Sequence, residues 1–284
     1  MIRLIGAASG WGAQLRGCAE GPQYLQKIFS FLPWRFVFPK QKVKSSVLSL
    51  IHEFNLMLAV QVESCIQQQI FPVVIGGDHS IAVGTWNGVY SAGQQAPLGL
   101  IWIDSHMDSH TPETTPSNAI HGMPLAGLLG FGPPSLSALK GNCPVLLPEN
   151  LCLIGVRSFE EEEAALLQKL GVRIFFMDEV KQKGLDPIFE EALQRVTKNT
   201  KHYGISLDLD VIDPKEAPGV GSPEENGIAK KQLLEALPKI CYQPQLTAFE
   251  LVEYNPHHDV DNKTAHICSE ILSIILQRTE VYHG

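Results

Sequence analysis

Residues 98–110 read Leu-Gly-Leu-Ile-Trp-Ile-Asp-Ser-His-Met-Asp-Ser-His. The first six are apolar at odd and even positions alike, so a strand formed there buries both of its faces. That is the signature of a parallel sheet covered by helices on each side. The run then breaks into Asp104, His106, Asp108 and His110. Residues two apart in extended chain point the same way, so Asp104, His106 and Asp108 share one side of the strand's carboxyl end. Further short apolar runs lie at 2–5, 72–75, 151–156, 172–176, 203–207 and 246–252, most of them bounded by Gly, Pro, Asn or Asp. Helical stretches fall between them, near 22–31, 44–69, 80–91, 160–169, 186–198, 229–240 and 263–277. In 44–69, Val47, Ile51, Phe54, Leu58, Val62 and Cys65 recur at spacings of 4, 3, 4, 4 and 3, which line one helical face. This alternation predicts an α/β fold around a parallel sheet. In such sheets ligands collect at the carboxyl ends of the strands.

The 284 residues carry 22 Lys+Arg against 30 Asp+Glu, a formal charge of −8. That balance argues against a protein whose main task is gripping nucleic-acid phosphates or anionic lipid, so neither nucleic acid nor membrane is expected as a partner. Lys40, Lys42 and Lys44 form a short basic cluster that reads as a solvated loop. The opening MIRLIGAASGWG has no apolar stretch long enough for a signal peptide, and no window approaches 18 uninterrupted apolar residues, so a cytoplasmic protein is expected. Six scattered cysteines without a CxxC pair read as reduced thiols, several of them buried. No composition break divides the chain, so 1–284 reads as one domain. The Gly- and Pro-rich stretch 130–148 reads as a surface excursion.

Two other segments join 98–110: VVIGGDHS at 73–80, with Asp78 and His79, and YGISLDLDVIDP at 203–214, with Asp208, Asp210 and Asp213. Four carboxylates and two imidazoles at one sheet edge repel unless cations are present, because like charges this close do not all ionise cheaply. Six ligands are too many for one four-coordinate zinc and suit two ions. Oxygen-rich donors without thiolate favour a hard ion such as Mn²⁺. Two ions about 3.5–4 Å apart lower the pKa of a water between them, so metal-assisted hydrolysis is the expected chemistry. Gly-Gly-Asp-His alone would be turn and helix-cap architecture. Asp213, followed by Pro214, reads as a turn former and is left out of the ligand set.

The three segments, in this order, resemble the arginase/agmatinase (ureohydrolase) family. So do the Arg16-Gly17 and Gly21-Pro22 turn, TTPSNAIHG at 114–122 and EYNP at 253–256. The resemblance covers almost the whole chain. It implies a three-layer α/β/α domain around an eight-stranded parallel sheet, a binuclear site with two Mn²⁺ per chain, and hydrolysis of a small guanidino substrate. It assigns His79, Asp104, Asp108 and Asp208 to the more buried ion, and His106, Asp104, Asp208 and Asp210 to the other. A metal-bridging hydroxide would then attack the guanidinium carbon, with Asp108 accepting its proton. His121 matches the family's proton-shuttling histidine. Glu253, at the end of a strand, matches the carboxylate that holds the guanidinium, whereas Glu250 faces another side. The family also implies a homo-oligomer, a trimer or a hexamer.

Thr111, Pro112, the Thr114-Thr115 pair and the Asn-Pro after Glu253 lean toward arginase, hence toward L-arginine giving L-ornithine and urea. Two departures bear on the substrate's other end. Arginases carry asparagines for the α-carboxylate where this chain has His110 and Ala119, and only Ser117 of that set is retained; Ser222 is a further substrate contact. Glu160, three residues past Arg157, reads equally as an ammonium acceptor or as part of a helix start in which Ser158 and Glu161 form the capping box. The alternatives are an agmatinase or guanidinobutyrase, a non-catalytic binding module on the same fold, and a zinc deacetylase on a related one.

Overall fold

The computed structural model describes residues 1–39, 45–141 and 143–283. Lys40, Lys42 and Lys44 lie outside them. The run at 98–103 is a strand whose side chains alternate between two layers. Leu100 and Trp102 enter one apolar cluster, Ile101 and Ile103 the other. The same alternation recurs along the sheet, and every strand pairing is parallel. The strands are β1 (Ile2–Ala7), β2 (Trp34–Val37), β3 (Phe71–Gly76), β4 (Leu98–Ile103), β5 (Leu146–Val156), β6 (Arg173–Phe176), β7 (His202–Asp208) and β8 (Leu246–Val252). They lie in the order β2-β1-β3-β8-β7-β4-β5-β6. The eight-stranded parallel sheet implied by the resemblance is borne out.

The helices are α1 (Gly21–Ile28), α2 (Val47–Gln67), α3 (Ala82–Ala92), α4 (Pro124–Leu128), α5 (Pro134–Ser137), α6 (Glu161–Leu170), α7 (Met177–Lys183), α8 (Leu185–Thr197), α9 (Lys230–Cys241) and α10 (Lys263–His283). One face of the sheet packs on α1, α7, α8, α9 and α10, through residues such as Leu25, Val180, Phe189, Leu237 and Ile271. The other packs on α2, α3, α4 and α6, through Phe54, Leu58, Val62, Trp86, Leu125 and Leu167. Of the six residues read as one face of α2, five are buried and Val47, in its first turn, is 39% exposed.

Edge strand β2 was not foreseen, because only Val37 of its four residues is buried and the apolar signal is correspondingly short. The short helices α4, α5 and α7 were not foreseen either, being too brief to show a periodicity. The described residues of 130–148 are a surface excursion only in part. Leu136 and Leu139 pack with Ile51, Ala59 and Val83 of α2 and α3, and Val145 and Leu146 enter the cluster beneath. All six cysteines are free; five are buried and Cys143 is exposed.

The fit between α3 and the sheet depends on Gly204 in β7. A Cβ there would lie 2.0 Å from Cζ3 of Trp86, whose indole is fully buried. Gly204→Ala should therefore destabilise by overpacking, at about 1–3 kcal/mol. The check is a lower denaturant midpoint at unchanged slope, compared with an exposed control such as Lys231→Ala.

Candidate active site

Four adjacent strands, β3, β8, β7 and β4, end at one place. Beyond β3 the chain turns through Gly77, where a Cβ would sit 1.8 Å from the Ser9 carbonyl oxygen, so only glycine allows that approach. Asp78 then caps a turn of 3-10 helix at His79–Ile81, accepting from the Ser80 N–H at 2.9 Å. Its other oxygen accepts from the Gly12 N–H at 2.9 Å. The Gly12 carbonyl accepts in turn from the N–H groups of Ile120 and His121. Asp78 thus braces the segment that carries His121.

His79 is buried, its ring stacked on Trp102 at 4.1 Å between centroids. Its Nε2 lies 2.9 Å from Ser206 Oγ, which donates to Glu250 Oε1 at 2.7 Å. Its Nδ1 faces Oδ2 of Asp104, Asp108 and Asp208 at 3.1, 3.0 and 3.1 Å. Across from it, His106 Nδ1 lies 3.0 Å from Asp210 Oδ2 and 3.5 Å from Asp104 Oδ1. Backbone tethers orient the carboxylates. Asp104 Oδ1 accepts from the His106 N–H at 2.7 Å, and Asp208 Oδ1 from the Asp210 N–H at 2.9 Å. The Trp102 indole donates to Asp104 Oδ2, and Ser105 Oγ to Asp210 Oδ1. All six residues read from the sequence as ligands are therefore together.

Against its burial, His106 and His79 hold Asp104 below the usual carboxylate range, but the other three aspartates are disfavoured as anions. Burial and the charge of Asp104 push Asp108 up to about 6. Burial, Asp210 and Asp104 raise Asp208 well above the usual carboxylate range. Burial raises Asp210, with Asp104 adding to the effect. Among the described residues, no Lys or Arg lines the cavity. His79 Nδ1 is buried without a hydrogen-bond partner, although three carboxylate oxygens surround it. An imidazole lone pair among carboxylate oxygens is a donor set for a cation. Among the described residues, three groups have donor atoms within 4.8 Å of one another: His79 with Asp104 and Asp208, Asp104 with His106 and Asp210, and, farther out, His110 with Glu160 and Glu163. The first two groups have Asp104 in common, and their oxygen and imidazole donors fit a divalent cation.

Glu253 follows β8 with a left-handed backbone, φ 65°, and Asp108 has φ 49°. Non-glycine residues rarely adopt this region, and such strain clusters at functional sites. Glu253 Oε1 accepts from the His79 N–H at 2.9 Å and lies 3.2 Å from His121 Nδ1. Burial opposes protonation of His121, but Glu253 overcomes it and holds the imidazole up at about 9. Glu250 points instead beneath His79, to Ser206. Asp213 accepts from the Lys215 N–H, as a turn former does.

These groups line a cavity of about 390 Å³ whose outer end holds His110, Ser117, Ala119, Ser222, Glu160 and Glu163. Both nitrogens of His110 are engaged, Nδ1 with Thr114 Oγ1 at 3.1 Å and Nε2 with Glu160 Oε2 at 2.9 Å. Ser117 is exposed and accepts from the Ala119 N–H. The capping box at the start of α6 is Glu160 with Glu163, not Ser158 with Glu161, because the N-cap lies two residues later than read. Glu163 was missed as a site residue. It accepts from the Ser109 N–H at 3.0 Å and lies 3.4 Å from His110, and burial pushes it up to about 8. Its position three residues after Glu160 was the available signal. Behind the ligands, Arg157 donates to the carbonyls of Gly155, Asp210, Val211, Glu224 and Glu225, joining the ends of β5 and β7 to the loop that carries Ser222.

Among the described residues, no helix is long and apolar enough to cross a membrane. The family model described as "Arginase family" matches residues 1–277. An arginase of Bacillus caldovelox is 42% identical over 225 residues, covering 79% of this chain and 75% of the relative. An arginase of Brevibacillus brevis is 35% identical and covers 96% and 97%. The crystal structure of Bacillus subtilis arginase superposes with a TM-score of 0.87 at 35% identity, over 97% of this chain and 98% of that one. Entamoeba histolytica arginase, solved in complex with L-ornithine, gives a TM-score of 0.89 at 27% identity, over 97% and 98%. Sequence motifs, sheet order and the convergence of four strand ends agree with these matches, and the chain belongs to the arginase family.

Proposed function

We propose that the chain hydrolyses L-arginine to L-ornithine and urea, using two Mn²⁺ held by His79, Asp104, His106, Asp108, Asp208 and Asp210. Membership of the family makes it a hydrolase of C–N bonds in linear amidines. The observation that carries the reading is the buried, unpartnered His79 Nδ1 facing three carboxylate oxygens at the wall of a cavity that also holds Glu253 and His121. When bound, the two ions supply the positive charge the carboxylates lack and make water acidic enough to yield a nucleophile near neutral pH.

The chain's own residues do the rest. Glu253, tethered at Oε1 by the His79 N–H, presents a fixed carboxylate to the guanidinium. Asp108, with its proton affinity already raised, orients the attacking water and takes its proton. His121, beside Glu253, passes a proton to the departing amine. At the outer end Glu160 and Glu163 receive an ammonium, with His110 between them. Ser117 and Ser222 provide hydroxyls along the wall. The reading also carries one domain over 1–284, a homo-oligomeric state and a cytoplasmic setting.

A second reading, agmatine hydrolysis, is favoured by the same outer end. Both His110 nitrogens are taken, residue 119 is alanine, and among the described residues no Lys or Arg lines the cavity to meet a carboxylate. Urea release from L-arginine, agmatine and 4-guanidinobutyrate with Mn²⁺ decides between them. L-Arginine should be the best of the three and 4-guanidinobutyrate, which brings a carboxylate and no ammonium, the poorest. Agmatine as the sole substrate would remove the arginine assignment.

Chelation should abolish activity, Mn²⁺ should restore it, and elemental analysis should find about two ions per chain. Asp108→Asn should lower metal content and turnover together, and full activity in that variant would contradict its role. His121→Ala should lower kcat by roughly 10²–10⁴-fold with metal content unchanged. Loss of metal would mark His121 as structural instead.

A further inference from the structure

Cys18 lies in the 3-10 turn Arg16–Glu20, fully buried, and the fold brings it to a residue 235 positions away. Its Sγ is 3.0 Å from Glu253 Oε2 and 3.6 Å from the Glu253 carbonyl oxygen. The two carboxylate oxygens are tethered differently. Oε1 is met by the His79 N–H and by His121, while Cys18 is the one hydrogen-bond partner found for Oε2 among the described residues. Gly221 closes in beside the same contact, where a Cβ would come within 2.7 Å of Oε2 and 3.4 Å of the Cys18 sulfur. Oε2 therefore sits in a tight slot flanked by the thiol and by bare backbone.

We propose that Cys18 is a positioning residue whose thiol donates to Glu253 Oε2 and holds that carboxylate in the orientation that receives a guanidinium. The proposal rests on the role given to Glu253 above. The thiol stays protonated, because burial and the neighbouring Glu253 both raise it well above the ordinary cysteine range. A weak, uncharged donor suits the task. A lysine or arginine would neutralise Glu253 and occupy the place of the substrate's cation, whereas an S–H fixes the rotamer and leaves the negative charge free. The left-handed backbone at Glu253 aims its side chain into this slot, and without a tether on Oε2 the carboxylate plane can turn about the bond beyond Oε1's partners.

The test compares Cys18→Val, which keeps bulk and removes the donor, with Cys18→Ser, which keeps a donor. Each is assayed as the Mn²⁺-loaded full chain, with metal content and melting temperature measured alongside. Cys18→Val should raise KM for the guanidino substrate by roughly three- to tenfold with a smaller change in kcat, and Cys18→Ser should recover most of the loss. An unchanged KM in Cys18→Val, or equal losses in both variants, overturns the proposal. A second readout needs no turnover. The S–H stretching band of Cys18, identified by its absence in Cys18→Val, should lie at lower frequency in the unmodified chain than in Glu253→Gln. A band at the free-thiol position in both also overturns it. An unmodified chain inactive on every guanidino compound but with the shifted band would instead remove the functional reading and leave the hydrogen bond standing.

Discussion

Four aspartates, each at most 7% exposed, face one another at the carboxyl ends of β4 and β7, and among the described residues no lysine or arginine lines the space between them. Everything else at this edge follows from keeping them there. The parallel sheet brings the strand ends together, and both of its faces are covered, so the cluster can turn only toward the cavity. Backbone N–H groups hold one oxygen of Asp104 and one of Asp208, which leaves the remaining oxygens directed at His79. The protein fixes this geometry in advance instead of letting the carboxylates swing apart into water. A cation arriving there meets ligands already in position, and the repulsion that opposes the empty arrangement becomes attraction.

The central strands were legible because both of their faces are buried. An apolar run interrupted by nothing leaves little choice of structure, and the acidic residues that end it are conspicuous against it. Edge strand β2 lacks that contrast, and the segment 130–148 concealed its buried leucines among glycines and prolines. The cluster of aspartates and histidines was legible for the same reason as the strands: charge directly after an apolar run is costly unless it is used. Glu163 was hidden because a glutamate in the first turn of a helix is ordinary. Cys18 was hidden because nothing local marks it. Only the pairing of β3 with β1 and β8 carries that turn to Glu253.

The outer end of the cavity is built differently from the inner one. Inside, Asp104, Asp208, Asp210 and Glu253 are buried and each accepts from a backbone N–H. Outside, Glu160 is half exposed and Ser117 lies on the surface. Rigidity where bonds break and looseness where the substrate's tail rests is the distribution expected of a pocket whose chemistry is fixed and whose selectivity is tuned by a few wall residues. His110, clasped by Thr114 and Glu160, is the firmest of those wall residues.

The donors at residues 79, 104, 106, 108, 208 and 210 come from three separate strands, and β8 lies between β3 and β7. In an unfolded chain the short stretch from Asp104 to Asp108 can still meet an ion, but the other three donors are remote from it. Complete chelation therefore belongs to the native state alone. With divalent ions held there as proposed, their free concentration would become a term in the folding equilibrium, each tenfold rise per site adding about 1.4 kcal/mol to the native state once the sites are saturated. Long-range strand pairing would come first, so the ion would be a clasp on a finished sheet and not a seed for its assembly.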